Sequence, residues 1–345
     1  MSPHPSAHSS ATGRIIAAVT RRERDLFLAT ALTNSPLAAS IEFIAEDELV
    51  TDGWAARLEA WQPTVLITAW STPPLPESWV ARAEYPLRYV CHVTGTVRSL
   101  VPRVFLARGG LVSNWGVHIS AQVAEHGLLL ALAALRNQAA WPEFIARPPQ
   151  VRQINELETR TLFGRRVGLH GFGSVARSLL PLLQPFGVTV SAYSAGVPDD
   201  FIREHGAEPA TSLVSLFAQS DVLFECESLI PTTSRSVSAA ALVTLPDGAV
   251  FVNIGRRGLV EETALLREAQ KGRLRVALDV IDNKPVTPQS PFLQGGRVTL
   301  SPHIGGPTQD RYPDCGALAL RNLLAFLEGR VPETALGLAA YDRAT

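Results

Sequence analysis

The sequence predicts a two-domain α/β protein built on parallel sheets. Three observations carry this. The chain has 345 residues, more than one ordinary hydrophobic core spans. Short apolar strands alternate with helical stretches along both halves of the chain. A glycine-rich turn, Gly171-Phe172-Gly173-Ser174-Val175-Ala176, directly follows a short apolar strand and opens the second series.

Bulk properties narrow the class. Apolar residues make up 46% of the chain, enough to fill two cores, and the net charge is −1. No basic field marks a nucleic-acid or membrane-surface partner. The three cysteines, Cys91, Cys226 and Cys315, are scattered. They form neither a disulfide framework nor a metal cluster, so a reducing cytoplasm and no metal site are expected. Cys226 is either a reactive thiol or a small apolar residue. The longest apolar run, residues 127–135, is far short of the ~18–20 residues of a membrane span. Residues 1–12, rich in Ser, Pro and His, read as a disordered tail without the basic start and apolar core of a signal peptide.

The first series has strands at 15–19, 65–68 and 87–91, with helices at 21–32 and 54–61. A Pro-rich loop at 71–76 follows the second strand. A further strand at 110–113 leads into Asn114-Trp115-Gly116. A long helix is predicted over 120–136, with Ser120 as its N-cap. Its apolar residues nearly surround it, which predicts burial on all sides. Residues 141–160 read as irregular.

The second series has strands at 167–170, 188–193, 221–224, 249–254, 276–280 and 298–300. Helices fall at 174–183, 213–219, 236–242 and 262–271. A last helix at about 315–327 is expected to pack back on the first domain. No repeat appears beyond the βαβ alternation.

Three positions point to chemistry. In the glycine turn, Gly171 permits the tight strand-to-helix turn and Gly173 lets a pyrophosphate approach the helix N-terminus. Ala176 is small enough for close helix–strand packing. At the end of the next strand, where an acid ordinarily bonds the ribose hydroxyls, this chain has Ser194. A serine does not repel a 2′-phosphate, yet the next arginine, Arg203, lies nine residues on. NAD and NADP therefore both stay open, with a slight lean to NADP. Third, Arg256 follows a strand in the glycine-flanked turn Asn253-Ile254-Gly255-Arg256-Arg257-Gly258. A guanidinium there can grip a carboxylate and polarise an adjacent carbonyl.

From Tyr89 to Gly306 the chain resembles the D-isomer-specific 2-hydroxyacid dehydrogenases. The glycine loop, the Asn253-to-Val260 segment, Ala277-Leu278-Asp279-Val280, Pro302-His303-Ile304-Gly305-Gly306 and Val123-Ala124-Glu125-His126 carry the resemblance, in the family's order. The resemblance implies a Rossmann cofactor domain (118–305) inserted in a flavodoxin-like substrate domain (13–117 and 306–345). It implies that Gly171, Phe172, Gly173, Ser174, Val175, Ser194, Cys226, Ile254, Asp279 and His303 line the cofactor. Arg256 would hold the substrate carboxylate, with Thr94, Gly95 and Thr96 offering backbone N–H groups and Arg98 a second anion contact. His303 would exchange the proton. The expected reaction is NAD(P)-dependent interconversion of a small 2-oxo acid and a D-2-hydroxy acid, by a homodimer whose cleft closes over both ligands.

The departures matter as much. Lys284 stands where the family places the glutamate that orients the catalytic histidine and raises its pKa. A cation there favours neutral imidazole. Four outcomes stay open. Lys284 holds an anionic substrate or donates the proton itself, Asp282 takes the glutamate's place, hydride transfer is weak, or Lys284 faces solvent. The alternative to a dehydrogenase is thus a catalytically weakened, nucleotide-binding regulator. Cys226-Glu227-Ser228-Leu229 replaces the family's His-x-Pro-Leu loop. Trp115 and His118 stand where small residues are usual, either lining the cleft or packing in a core.

Overall fold

The computed structural model describes residues 13–33, 35–281, 286–287, 289–293 and 297–343. The expected tail, residues 1–12, lies outside the described residues, as do Asp282 and Lys284. The chain divides into two compact units, Met1–His118 with Thr308–Thr345, and Ile119–Pro307.

The first unit is built on five strands: β1 (Ile15–Ala18), β2 (Ile41–Phe43), β3 (Val65–Thr68), β4 (Tyr89–His92) and β5 (Leu111–Ser113). All pair parallel, in the order β2-β1-β3-β4-β5, which is the flavodoxin-like order. Every residue of β1, β3 and β4 is buried, as a parallel sheet covered on both faces requires. Trp54 and Leu58 of the helix Trp54–Trp61 join Ile16, Leu66 and Val90 in the core. The helix expected at 21–32 is broken. Thr20 and Glu23 form a capping box, a π-helical segment runs Arg24–Leu28, and α-helix resumes over Ala29–Leu32. At the wide turn the Phe27 carbonyl backs onto Gly316 of the helix Tyr312–Leu327. That helix packs on the π segment, on Ala29–Leu32 and on β4.

The second unit has seven strands: β6 (Arg166–His170), β7 (Thr189–Tyr193), β8 (Glu208–Pro209), β9 (Val222–Glu225), β10 (Val250–Asn253), β11 (Arg275–Leu278) and β12 (Val298–Leu300). They run parallel in the order β12-β11-β10-β9-β6-β7-β8. Strand order reverses between β6 and β9, so the crevice beyond their carboxyl ends is the topological switch point. The period-2 alternation of strands sorts the core. Val222, Phe224, Val250 and Val252 face the helices Ser120–Leu135 and Ser174–Leu183. Leu223 and Phe251 face the opposite side, against Phe217, Leu242 and Leu265.

Two expectations for the helix Ser120–Leu135 are corrected. Its N-cap is Ile119, and Ser120 is the first helical residue, its hydroxyl donating to Ser174 Oγ at 2.8 Å. Burial runs along one stripe, Ala124, Gly127, Leu130, Ala131, Ala134 and Leu135, while Leu129 is 58% exposed. Residues expected to be irregular contain the helix Trp141–Ala146.

Candidate cofactor and active site

The glycine loop is shaped for a dinucleotide. Gly171 has φ +91°, and a Cβ there would lie 2.5 Å from Glu227 Cα and N, so only glycine fits between the two loops. A Cβ at Gly173 would meet nothing within 4 Å, so the loop is open on its outer side. No side chain caps the helix Ser174–Leu183, leaving its first-turn N–H groups directed outward beside Val175. Ala176 is wholly buried, and Phe172 packs edge-on against Phe201. A pyrophosphate fits this arrangement of helix N-terminus and open backbone.

Beside the loop lies a polar network at the switch point. His170, the last residue of β6, bonds Glu225 Oε2 through Nδ1 at 2.5 Å, and both are buried. Burial alone pushes the imidazole pKa down. The charge and hydrogen bond of Glu225 outweigh it and raise the pKa above the usual histidine value. Glu225 Oε1 also accepts the Glu227 N–H at 2.9 Å. The Glu227 carboxylate accepts the Ser194 hydroxyl at 2.6 Å and the Ser228 N–H at 2.8 Å. Cys226 lies between these carboxylates. Burial first, then the charges of Glu225 and Glu227, push its thiol pKa well up, so of the two expectations for Cys226 the inert thiol is the one favoured.

Three residues gather at the carboxyl ends of the adjacent strands β10, β11 and β12. After β10, Asn253 Oδ1 accepts the Gly255 N–H at 3.0 Å and tightens the turn. Ile254 is buried there, against Gly127. Arg256 is half-buried and donates to the Gly255 carbonyl at 3.0 Å, whereas Arg257 is exposed. Burial lowers the Arg256 pKa from its ordinary value, and the guanidinium remains a cation.

Immediately after β11, Asp279 is the anchor of the histidine loop. Its Oδ1 accepts Ser301 Oγ at 2.6 Å and the Ile304 N–H at 2.9 Å, and its Oδ2 accepts the Gly305 N–H at 2.9 Å. His126 reaches Ser301 Oγ at 2.8 Å and Asp279 Oδ1 at 3.4 Å. Burial disfavours the carboxylate, but bonds from His126, Ser301 and the two amides prevail and hold it well below the usual range. His303, between these clamped residues, is exposed and sits at φ +59°, a left-handed conformation uncommon for a non-glycine residue.

The expected substrate turn belongs to the first unit, at the carboxyl end of β4. Thr94 is wholly buried and its hydroxyl bonds His92 Nε2 at 2.7 Å. The Thr94 side chain is thus not left for a ligand. His92 also bonds Thr68 through Nδ1 at 2.9 Å, and burial pushes its pKa down to about 3. The Trp115 indole covers Gly95 so closely that a Cβ there would clash with it. Asn114 locks the pair, donating to the Gly95 carbonyl at 2.6 Å and accepting the Gly116 N–H at 2.9 Å. Thr96 and Arg98 are exposed, and His118 bonds Glu333 at 2.9 Å.

Sequence reasoning missed His170, Glu225, Glu227 and the link from His126 to Asp279. The one available signal was the altered loop Cys226 to Leu229, whose acid was not singled out. Lys284 lies outside the described residues.

Among the described residues no helix is long and apolar enough to cross a membrane. The chain is 28% identical over 258 residues to 4-methyl-2-oxopentanoate reductase A of Aspergillus oryzae, covering 74% of this chain and 77% of that one. It is 31% identical over 229 residues to D-3-phosphoglycerate dehydrogenase of Mycobacterium leprae, covering 66% of this chain but 43% of that longer protein. Its fold matches that of Rhodotorula graminis D-mandelate dehydrogenase with a TM-score of 0.79 at 19% identity, over 94% of this chain and 98% of the other. The model for the NAD binding domain of the D-isomer specific 2-hydroxyacid dehydrogenases matches residues 128–305, just over half of the sequence, and the chain belongs to that family of oxidoreductases.

Proposed function

We propose that this protein interconverts a small 2-oxo acid and a D-2-hydroxy acid, with Arg256 holding the substrate carboxylate and His303 as acid and base. The observation that carries this is the Asp279 clamp. A buried carboxylate spends its bonds fixing the loop that presents an exposed histidine, next to the strand that presents Arg256. A protein that only sensed a nucleotide would have little use for that construction, which favours the enzyme over the regulator.

When bound at the glycine loop, the dinucleotide supplies or accepts the hydride at the substrate's C2. The Arg256 fork pairs with the carboxylate and draws electron density from the 2-oxo group. His303 gives a proton to the 2-oxo oxygen during reduction and takes it back during oxidation. The amides of Gly95 and Thr96 add donors to the carboxylate. We further assign a homodimer joined through the second unit, supported by the exposed apolar side chains Leu129, Ile145 and Ile154. The free thiols suit a reducing cytoplasm.

The test is a panel assay. Purified protein is mixed with reduced dinucleotide and glyoxylate, hydroxypyruvate, phenylpyruvate, 4-methyl-2-oxopentanoate or an anionic phosphonate, and nicotinamide absorbance is followed. Turnover giving the D-hydroxy acid is expected. Failure across the panel, with dinucleotide binding intact, would put the regulator reading ahead of the dehydrogenase.

A further inference from the structure

The polar network at the switch point has a consequence for cofactor choice, and it rests on the dehydrogenase reading above. The residue after β7 is Ser194, which offers no charge to the ribose. Yet a carboxylate is present at that spot. It comes from Glu227, two residues beyond β9, a strand separated from β7 by β6. The loop after β9 carries the Glu227 backbone over Gly171 at the end of β6, where the missing Cβ makes room for it, and the side chain covers the remaining distance to β7. Its carboxylate ends 2.6 Å from Ser194 Oγ.

We propose that Glu227 is the adenosine-ribose acid of this cofactor site, delivered from the loop after β9, and that together with Ser194 it selects NAD(H) over NADP(H).

Three features argue for this assignment. The carboxylate is held from both ends, since Glu225 fixes the Glu227 amide at 2.9 Å and the Ser228 N–H bonds its Oε1 at 2.8 Å. It is therefore pre-aimed instead of being a wandering surface acid. Its remaining lone pairs suit the 2′- and 3′-hydroxyls of a ribose, both of which donate. A 2′-phosphate placed there would face a carboxylate at hydrogen-bond range, which is repulsive. The two arginines that flank Ser194 in the sequence have other partners. Arg203 pairs with Asp200 at 2.9 Å and Asp199 at 3.8 Å on its own helix, and Arg177 stacks over Phe201. On this proposal the choice falls to NAD(H), against the slight lean to NADP that Ser194 suggests alone.

Calorimetric titration of the intact protein with NADH, NADPH, ADP-ribose and 2′-phospho-ADP-ribose decides the matter without any turnover. Wild type is expected to bind the unphosphorylated ligand of each pair roughly ten- to a hundredfold more tightly, the range of one charge-assisted hydrogen bond. Glu227→Gln, which removes the charge and keeps the shape, should bring the two ligands of each pair within a few-fold. Glu227→Asp, too short to reach Ser194, should give an intermediate ratio, and circular dichroism verifies that both variants fold. Equal or tighter binding of NADPH by wild type overturns the proposal alone. An unchanged ratio in a folded Glu227→Gln protein does the same. Binding of none of the four ligands overturns the dehydrogenase reading and this proposal with it.

Discussion

Asp279 Oδ2 accepts the backbone N–H of Gly305 at 2.9 Å, two residues beyond His303. The end of one strand thus fixes the loop after the next. The spacing sets where the imidazole stands, because His303 is held at φ +59° between clamped neighbours.

Asp279→Ala should therefore act on the chemical step. The amides of Ile304 and Gly305 lose their acceptor, and the histidine shifts. A misplacement of about 1 Å costs up to a hundredfold in rate. We expect kcat to fall roughly ten- to a hundredfold while the dissociation constant of ADP-ribose stays within a few-fold. Steady-state kinetics beside calorimetry separates the two, and an unchanged kcat would remove the positioning role.

Arg256→Lys keeps the charge and loses the planar fork. With a bidentate contact to the substrate carboxylate, kcat/KM should drop roughly ten- to a hundredfold, with dinucleotide affinity preserved. A variant as efficient as wild type would show that Arg256 does not grip the substrate.

Lys284→Glu tests the expectation that residue 284 stands where the family resemblance implies an acid. If Lys284 serves an anionic substrate, turnover of that substrate falls by roughly tenfold or more. A rise in turnover, with the pH optimum moving up, would instead mark Lys284 as a damaged proton relay.

Gly171→Ala forces a Cβ to 2.5 Å from the Glu227 backbone at a φ of +91°. Strain and displacement together should cost about 1–3 kcal/mol, read as a lower thermal midpoint. ADP-ribose binding should weaken in parallel. A protein of unchanged midpoint that binds normally would mean that the two loops part easily.

His92 predicts an acid-side loss of stability. Its folded pKa, about 3, lies below the unfolded value near 6.5. The unfolded chain then binds more protons between these pH values, so stability is full above about 6.5 and declines as pH falls toward 3, by up to about 1.4 kcal/mol per pH unit. His92→Asn should flatten that slope in unfolding titrations of the first unit. An identical slope would place the acid sensitivity elsewhere.

The parts legible in the sequence are those with local physics. The glycine loop declares itself through a strand, a helix and three small residues in one stretch, and Arg256 through its turn. Apolar strands are readable even at three residues, as in β5 and β12, whereas β2, with Glu42 at its centre, and the two-residue β8 carry too little apolar pattern to stand out. Glu227 escaped because its partner Ser194 lies 33 residues away and the usual rule looks for the acid at the end of β7. A charge that moves from one strand to another keeps its place in space and loses its place in the motif. Ser120 looked like a cap because serine often is one, but its hydroxyl is taken by Ser174.

The helix Tyr312–Leu327 covers the π segment Arg24–Leu28 and the strand β4, though the whole second unit lies between them in the chain. During synthesis the second unit can close as soon as residue 307 has emerged, whereas the first unit must wait with Phe27 and the back of Tyr89 uncovered. The part made first is the part completed last. Its exposure to aggregation and proteolysis therefore depends on how soon residues 312–327 follow, as well as on how stable the finished sheet is.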